Sequence, residues 1–139
     1  MKIGFTNGCF DLFHEGHRHF LRQCAEQCNY LIVAVNSDRY CRAFKGPPRP
    51  FRPLMRRISE VRAFLDRLTD SAVIPFEGRE ARLLSELRPD ILFKGGDHGK
   101  LMGAYIRPLG TDHLIEVRRI DRVPGISTTL IAERMKLGG

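Results

Sequence analysis

The sequence predicts an α/β domain with a five-stranded parallel sheet and helices on both faces. Three observations lead there. Short apolar runs alternate with segments whose apolar residues recur at helical spacing. The strand-like runs are continuously apolar rather than alternating, as strands covered on both faces are. The chain has 139 residues, which suits one domain, 1–139, and leaves little room for a second.

Residues 2–6 are short and apolar and end at Asn7-Gly8, so they predict a strand. Phe20, Leu21, Cys24 and Cys28 then predict a helix over 16–28. Residues 30–36 form a second strand, buried on both faces. Residues 45–53 hold four prolines and a glycine and must form a loop. Leu54, Ile58, Val61, Leu65 and Leu68 make a helical stripe. Residues 72–76 predict a strand, and Leu83, Leu84 and Leu87 a helix stopped before Pro89. Residues 90–94 predict a strand running into Gly95-Gly96, and 114–117 a fifth strand. Ser127-Thr128-Thr129 offers N-cap hydroxyls to a last helix containing Leu130, Ile131 and Met135. Parallel sheets bind ligands beyond the carboxyl ends of their strands, where strand order reverses. Residues 7–17, 36–38 and 94–97 all follow strands and gather on that edge.

Composition narrows the classes of function. Hydrophobic residues make up 42% and charged residues 28%, which excludes disordered and collagen-like chains. The longest apolar run, 30–35, falls far short of the roughly 20 residues of a membrane span. The first residues have no apolar signal core, so a cytoplasmic protein without a membrane partner is expected. The cysteines, at 9, 24, 28 and 41, form no C-x-x-C pair. They are expected to be buried apolar side chains rather than metal ligands. The net charge is +7, and residues 39–67 hold nine basic side chains against only Glu60 and Asp66. The excess therefore lies in one stretch and implies an anionic partner. Sparse aromatic interleaving and no RNA-binding signature argue against nucleic acid.

Known phosphate-loop motifs are missing. There is no G-x-G-x-x-G, and 95–100 is one residue short of a Walker loop. His14, His17 and His19 lack the spacing and companion ligands of a zinc site. The informative segment runs from Thr6 to His17. Gly8 allows a sharp turn after a strand, and Gly16 allows close approach to a helix start. His14 and His17 bracket that start and can donate to an anion, helped by exposed amides and the helix dipole. Two surface histidines beside an Asn-Gly turn are the plainer reading. The pair around a glycine at a strand–helix junction favours the anion site.

This segment resembles the T-x-G-x-F-D-x-x-H-x-G-H signature of the cytidylyltransferase-like nucleotidyltransferases. Residues 45–57 are similar to the K-G-x-x-R-P-x-x-P-L-x-x-R loop of heptose 1-phosphate adenylyltransferases. Residues 89–97 are similar to their P-D-x-x-x-K-G-G-D, and 125–129 to their G-x-S-T-T. Arg67-Leu68-Thr69-Asp70, and Arg122 ahead of Val123, look closer to glycerol-3-phosphate cytidylyltransferases. The resemblance implies a Rossmann-like fold and a stand-alone transferase, because bifunctional members carry an additional sugar kinase domain.

The implied reaction joins a nucleoside monophosphate from ATP to a sugar phosphate, releasing pyrophosphate. A CTP-dependent enzyme acting on glycerol 3-phosphate is the alternative. By the same resemblance His14, His17 and Lys45 are catalytic. Thr6, Gly8, Cys9, Phe10, Gly16, Arg57, Lys94, Gly96, Asp97, Ser127, Thr128 and Thr129 bind the nucleotide. Asp11, Arg49 and Arg122 contact the acceptor. No protein metal site is implied. Mg²⁺ is expected with the nucleotide, with Asp11 either contributing to its site or bracing the turn. Arg52 and Arg56 are expected to be solvated charges, and a homodimer is expected. A pantetheine- or nicotinamide-mononucleotide-type adenylyltransferase shares H-x-G-H, but the Lys-Gly-Gly-Asp and Arg-Pro-x-x-Pro segments count against it. A non-catalytic module using the basic stretch is the weaker alternative.

Overall fold

The computed structural model of the chain describes residues 1–96, 104–121 and 131–132. Its elements, in order, are β1 (Ile3–Gly8), α1 (Glu15–Glu26), β2 (Tyr30–Asn36), α2 (Asp38–Lys45), α3 (Leu54–Leu65), β3 (Asp70–Phe76), α4 (Glu80–Leu87), β4 (Ile91–Gly95), β5 (Tyr105–Ile106) and β6 (Ile115–Ile120). The sheet has six strands in the order β3-β2-β1-β4-β6-β5. All neighbours pair in parallel except β5, which runs antiparallel to β6. The parallel core of five strands is as expected. The sixth is the two-residue β5, too short to leave a pattern in the sequence.

The continuous apolar runs divide between two faces. Leu31, Val33 and Val35 of β2, Val73 of β3, and Ile91 and Phe93 of β4 pack under α1 and α3, meeting Leu21, Cys24, Ile58, Val61 and Leu65. Phe5, Ile32, Ala34, Leu92, Ile115 and Val117 form the opposite core with Leu84 of α4. Gly4 is required by close packing: a Cβ there would lie 2.6 Å from the Phe93 ring and 3.0 Å from Cys28 Sγ. β3 is an edge strand, and its Pro75 lacks the N–H that a further strand would need.

Helix α2 lies where no regular element was expected. Ser37 caps it by accepting Tyr40 N at 3.1 Å, and Asp38 lies in its first turn. Among its residues only Cys41 is buried, while Tyr40 and Phe44, one turn apart and stacked, are exposed. Cys24 is a buried free thiol as expected, and Cys28 is a free thiol but only half-buried. Cys9 and Cys41 are also buried, but as a disulfide between the loop after β1 and α2 rather than as apolar thiols. No described helix is long and apolar enough to cross a membrane.

Candidate active site

The site lies where strand order reverses. β1 is flanked by β2 and β4, and its pairing with β2 runs the full length to Gly8. Its ladder with β4 covers only Gly4–Phe5 against Ile91–Leu92. Past that point side chains join the strands. Thr6 Oγ1 donates to Phe93 O at 3.1 Å. The loop leaving β1 turns at Phe10 (φ 51) and Leu12 (φ 52), not at Gly8. Left-handed backbone at two apolar residues costs on the order of 1–3 kcal/mol each and is typical of functional sites.

His14 is the N-cap of α1. Its Nδ1 accepts Gly16 N at 3.0 Å and His17 N at 3.4 Å, while His17 Nδ1 accepts His14 N at 3.2 Å. This is a capping box in which two imidazoles replace the usual hydroxyl and carboxylate. Because both Nδ1 atoms accept backbone hydrogens, each neutral ring carries its proton on Nε2. The rings stack at 3.7 Å. Phe10 meets His17 edge-on at 5.5 Å, and Phe13 stacks on it at 5.7 Å. Burial drives the pKa of His17 down to about 3, helped by the charge of His14, Lys45, Arg18 and Arg49. Burial, then Arg18 and Lys45, also lowers that of His14. Both rings are neutral at pH 7 and present Nε2–H donors. The helix-start amides expected to hold an anion directly are instead taken up by these rings.

Lys45 closes α2, exposed, near enough for its charge to act on both histidines. Asp11 is almost fully buried. It accepts Arg49 Nε at 3.1 Å, Phe51 N at 2.7 Å and Arg52 N at 3.1 Å. It therefore braces the proline-rich loop, whose Pro47–Pro48 and Arg49–Pro50 peptides are cis. Arg49 is also buried, with its guanidinium 5.1 Å from the Phe51 ring and its Nη2 without a partner among the described residues.

Arg57, expected to reach the nucleotide as a second cation, is wholly buried. Its Nη1 donates to Cys9 O at 2.8 Å and Asn36 O at 2.9 Å, its Nε to Arg52 O at 2.9 Å, and its Nη2 to Asp38. It thus fastens the ends of β1 and β2 to the loop from behind. Arg52 and Arg56 are not merely solvated either, since both pair with Glu60. With Arg39–Glu77, Arg49–Asp11 and Arg57–Asp38, five of the nine basic side chains of 39–67 face carboxylates among the described residues. Of these, only Arg49 and Arg57 are buried, whereas Arg39–Glu77 and Arg56–Glu60 are exposed surface pairs.

Thr6 is buried on Phe93 O, and Cys9 is bonded to Cys41. Gly16 belongs to the capping box, and Gly96 (φ 69) donates its N–H to Ile120 O at 3.3 Å. Lys94 Nζ donates to Glu80 at 2.7 Å. Asp97, Arg122, Ser127, Thr128 and Thr129 lie outside the described residues. Glu80 carries no sequence signal, because only the fold brings it to Asn7 of the signature segment. No group of three His, Cys, Asp or Glu among the described residues could hold a metal ion.

Comparison with known proteins agrees with this geometry. Residues 5–134 match the cytidylyltransferase-like family. The chain is 43% identical over 136 residues to the bifunctional protein HldE of a Nitratiruptor species, covering 97% of this chain and 28% of that one. The HldE of Azotobacter vinelandii is also 43% identical, over 137 residues with the same coverage. The chain thus spans little more than a quarter of these relatives. A lipopolysaccharide core biosynthesis protein from Thermoplasma volcanium superposes with a TM-score of 0.69 at 25% identity, over 88% of this chain and 98% of that one. Pantothenate synthetase from Thermus thermophilus shares the fold, with a TM-score of 0.62 at 19% identity over 98% of this chain and 64% of that one. Since the family match runs from β1 through the histidine pair and β4 to the last described helical residues, the chain belongs to the cytidylyltransferase-like family.

Proposed function

We propose that the chain is a nucleotidyltransferase that joins AMP from ATP to a sugar phosphate of the heptose 1-phosphate type. The observation that carries this reading is the pair of neutral imidazoles at the start of α1, both with Nε2–H donors, beside the charge of Lys45. An oxygen of the acceptor phosphate attacks the α-phosphorus. The new O–P bond forms as the bond to the β-phosphate oxygen breaks, and pyrophosphate leaves with the electron pair. The nucleophile is already an anion, so the site needs no strong base. It needs positioning and donors aimed at developing charge. His14 and His17 supply those donors, and Lys45 offsets charge on the triphosphate.

Mg²⁺ fits as a companion of the phosphates rather than as a resident of the protein, because Asp11 already accepts three N–H donors. When bound it screens phosphate charge. The similarity to HldE and to the lipopolysaccharide core biosynthesis protein supports a sugar phosphate as acceptor. A cytoplasmic homodimer belongs to the same proposal. Its test is a grid of ATP, CTP, GTP and UTP against heptose 1-phosphate, other sugar 1-phosphates and glycerol 3-phosphate, scored by pyrophosphate release. ATP with heptose 1-phosphate should give the fastest release. Release only with CTP and glycerol 3-phosphate would replace this reading with the cytidylyltransferase one.

A further inference from the structure

Glu80 stands in the first turn of α4, and it reaches two residues on two different strands. One oxygen, Oε2, accepts Asn7 Nδ2 at 2.8 Å and Lys94 Nζ at 2.7 Å. Asn7 belongs to β1 and Lys94 to β4. The backbone ladder between these strands covers only Gly4–Phe5 and Ile91–Leu92. The outer neighbours stay paired further, β2 with β1 to Gly8 and β6 with β4 to Gly95. The gap is therefore the crevice of the switch point, where ligands of such sheets bind. Two side-chain links cross it: Thr6 to Phe93 O on the α1–α3 face, and the Glu80 carboxylate on the α4 face.

The chemistry of the link is directional. A carboxylate only accepts, so it orients the Asn7 amide with its nitrogen toward Glu80 and draws the Lys94 ammonium to the same oxygen. The pair is half-buried, with side-chain exposures of 21% for Lys94 and 26% for Glu80. Partial burial weakens solvent screening and narrows the positions the long Lys94 side chain samples. The first-turn placement of Glu80 is itself favoured by the helix dipole.

We propose that Glu80 is a positioning residue that holds Lys94 and Asn7 in register across the crevice and so sets where the Lys94 ammonium meets the nucleotide. The part concerning the nucleotide rests on the function proposed above and on the nucleotide contact that the family resemblance implies for Lys94. The link to Lys94 does not. Two measurements test it. The first is labelling of Lys94 by an amine-acylating reagent, read by mass spectrometry on the folded chain. Lys94 should label several-fold faster in Glu80→Ala than in the wild type, with Glu80→Gln between them because its amide oxygen still accepts. Equal labelling in all three overturns the proposal whatever the activity.

The second measurement is kinetic. Glu80→Ala should lower kcat/KM for ATP about tenfold, and Glu80→Gln should recover part of it. The penalty of Lys94→Ala should shrink to less than about twofold in the Glu80→Ala background, since residues acting as one unit are not additive. Penalties that multiply, or a Glu80→Ala variant with lowered thermal stability but unchanged kinetics, would overturn the positioning role. A wild-type chain that releases no pyrophosphate with any nucleotide and acceptor sinks the proposed function instead, and the labelling result then decides about Glu80 alone.

Discussion

His14 and His17 stack at 3.7 Å, and each accepts a backbone hydrogen at Nδ1 from the segment that carries the other. One ring cannot be removed without loosening its neighbour. His17→Ala should reduce turnover by about 10²–10³, the cost of losing a preorganised donor. Nucleotide affinity should change much less. His14→Ala should cost, in addition, about 1 kcal/mol of stability through loss of the cap. Steady-state kinetics and thermal unfolding of both variants separate these effects.

The depressed histidine pKa values predict the pH behaviour. With His17 at about 3 and His14 below its ordinary value, kcat/KM should show no acid limb near 6.5. The unfolded chain binds a proton at His17 below about 6.5, while the folded chain does so only near 3, and at His14 the difference has the same sign. The contribution of His17 to stability is therefore complete above that pH and is lost as the pH falls toward 3, and that of His14 also falls as the pH drops below its ordinary value. Denaturant titrations at pH 7.5, 6 and 5 should show stability falling, and His17→Ala should flatten the trend.

Arg57 should be far less replaceable than a solvated arginine. It is fully buried, and its donors serve three backbone carbonyls and Asp38. Arg57→Lys keeps the charge but cannot span that fork. Either Arg57→Lys or Arg57→Ala should cost at least about 3 kcal/mol, lowering Tm by about 10 °C. Arg52→Ala loses a partly exposed pair with Glu60 and should cost at most about 1 kcal/mol.

The proline-rich loop is gripped at its far end by Asp11 and enters from α2, whose Cys41 is bonded to Cys9. Asp11 grips residues 49–52, whereas Lys45 sits before that anchor. Trypsin should cut after Arg42 or Lys45, since Arg49 and Arg52 precede prolines, and ATP with Mg²⁺ should protect. Lys45→Ala should weaken triphosphate binding. Asp11→Ala should speed cleavage at Lys45, as measured by a time course on gels.

The alternation of apolar runs and helical stripes was enough to find the parallel core, because strands buried on both faces leave a pattern no solvent-facing element copies. The Thr6–His17 signature pointed to the histidine pair, because a helix start after a strand end is a local feature. Other features left no local trace. Helix α2 spans only eight residues and buries only Cys41, too short a run to announce itself beside the proline-rich loop. Arg118 and Arg119 break the apolar run of β6, hiding its last residues. Arg57 looked like a free cation because its partners Cys9, Asn36 and Asp38 lie 19 to 48 positions away. The Cys9–Cys41 bond and the Glu80 link likewise depend on which strands become neighbours.

The interrupted ladder between β1 and β4 bears on how the molecule assembles. Contacts joining the first two strands close a loop of 27 residues, whereas those joining β1 to β4 close one of 87. By chain entropy alone the longer closure costs about 1 kcal/mol more. With so short a ladder to reward it, it should come late in folding. The half of the crevice bearing the histidines then forms early, and the half bearing Lys94 arrives with the final docking of β4. In native-state hydrogen exchange, amides of β4 should open at lower free energy than those of β2, so the crevice is the seam along which this chain first comes apart.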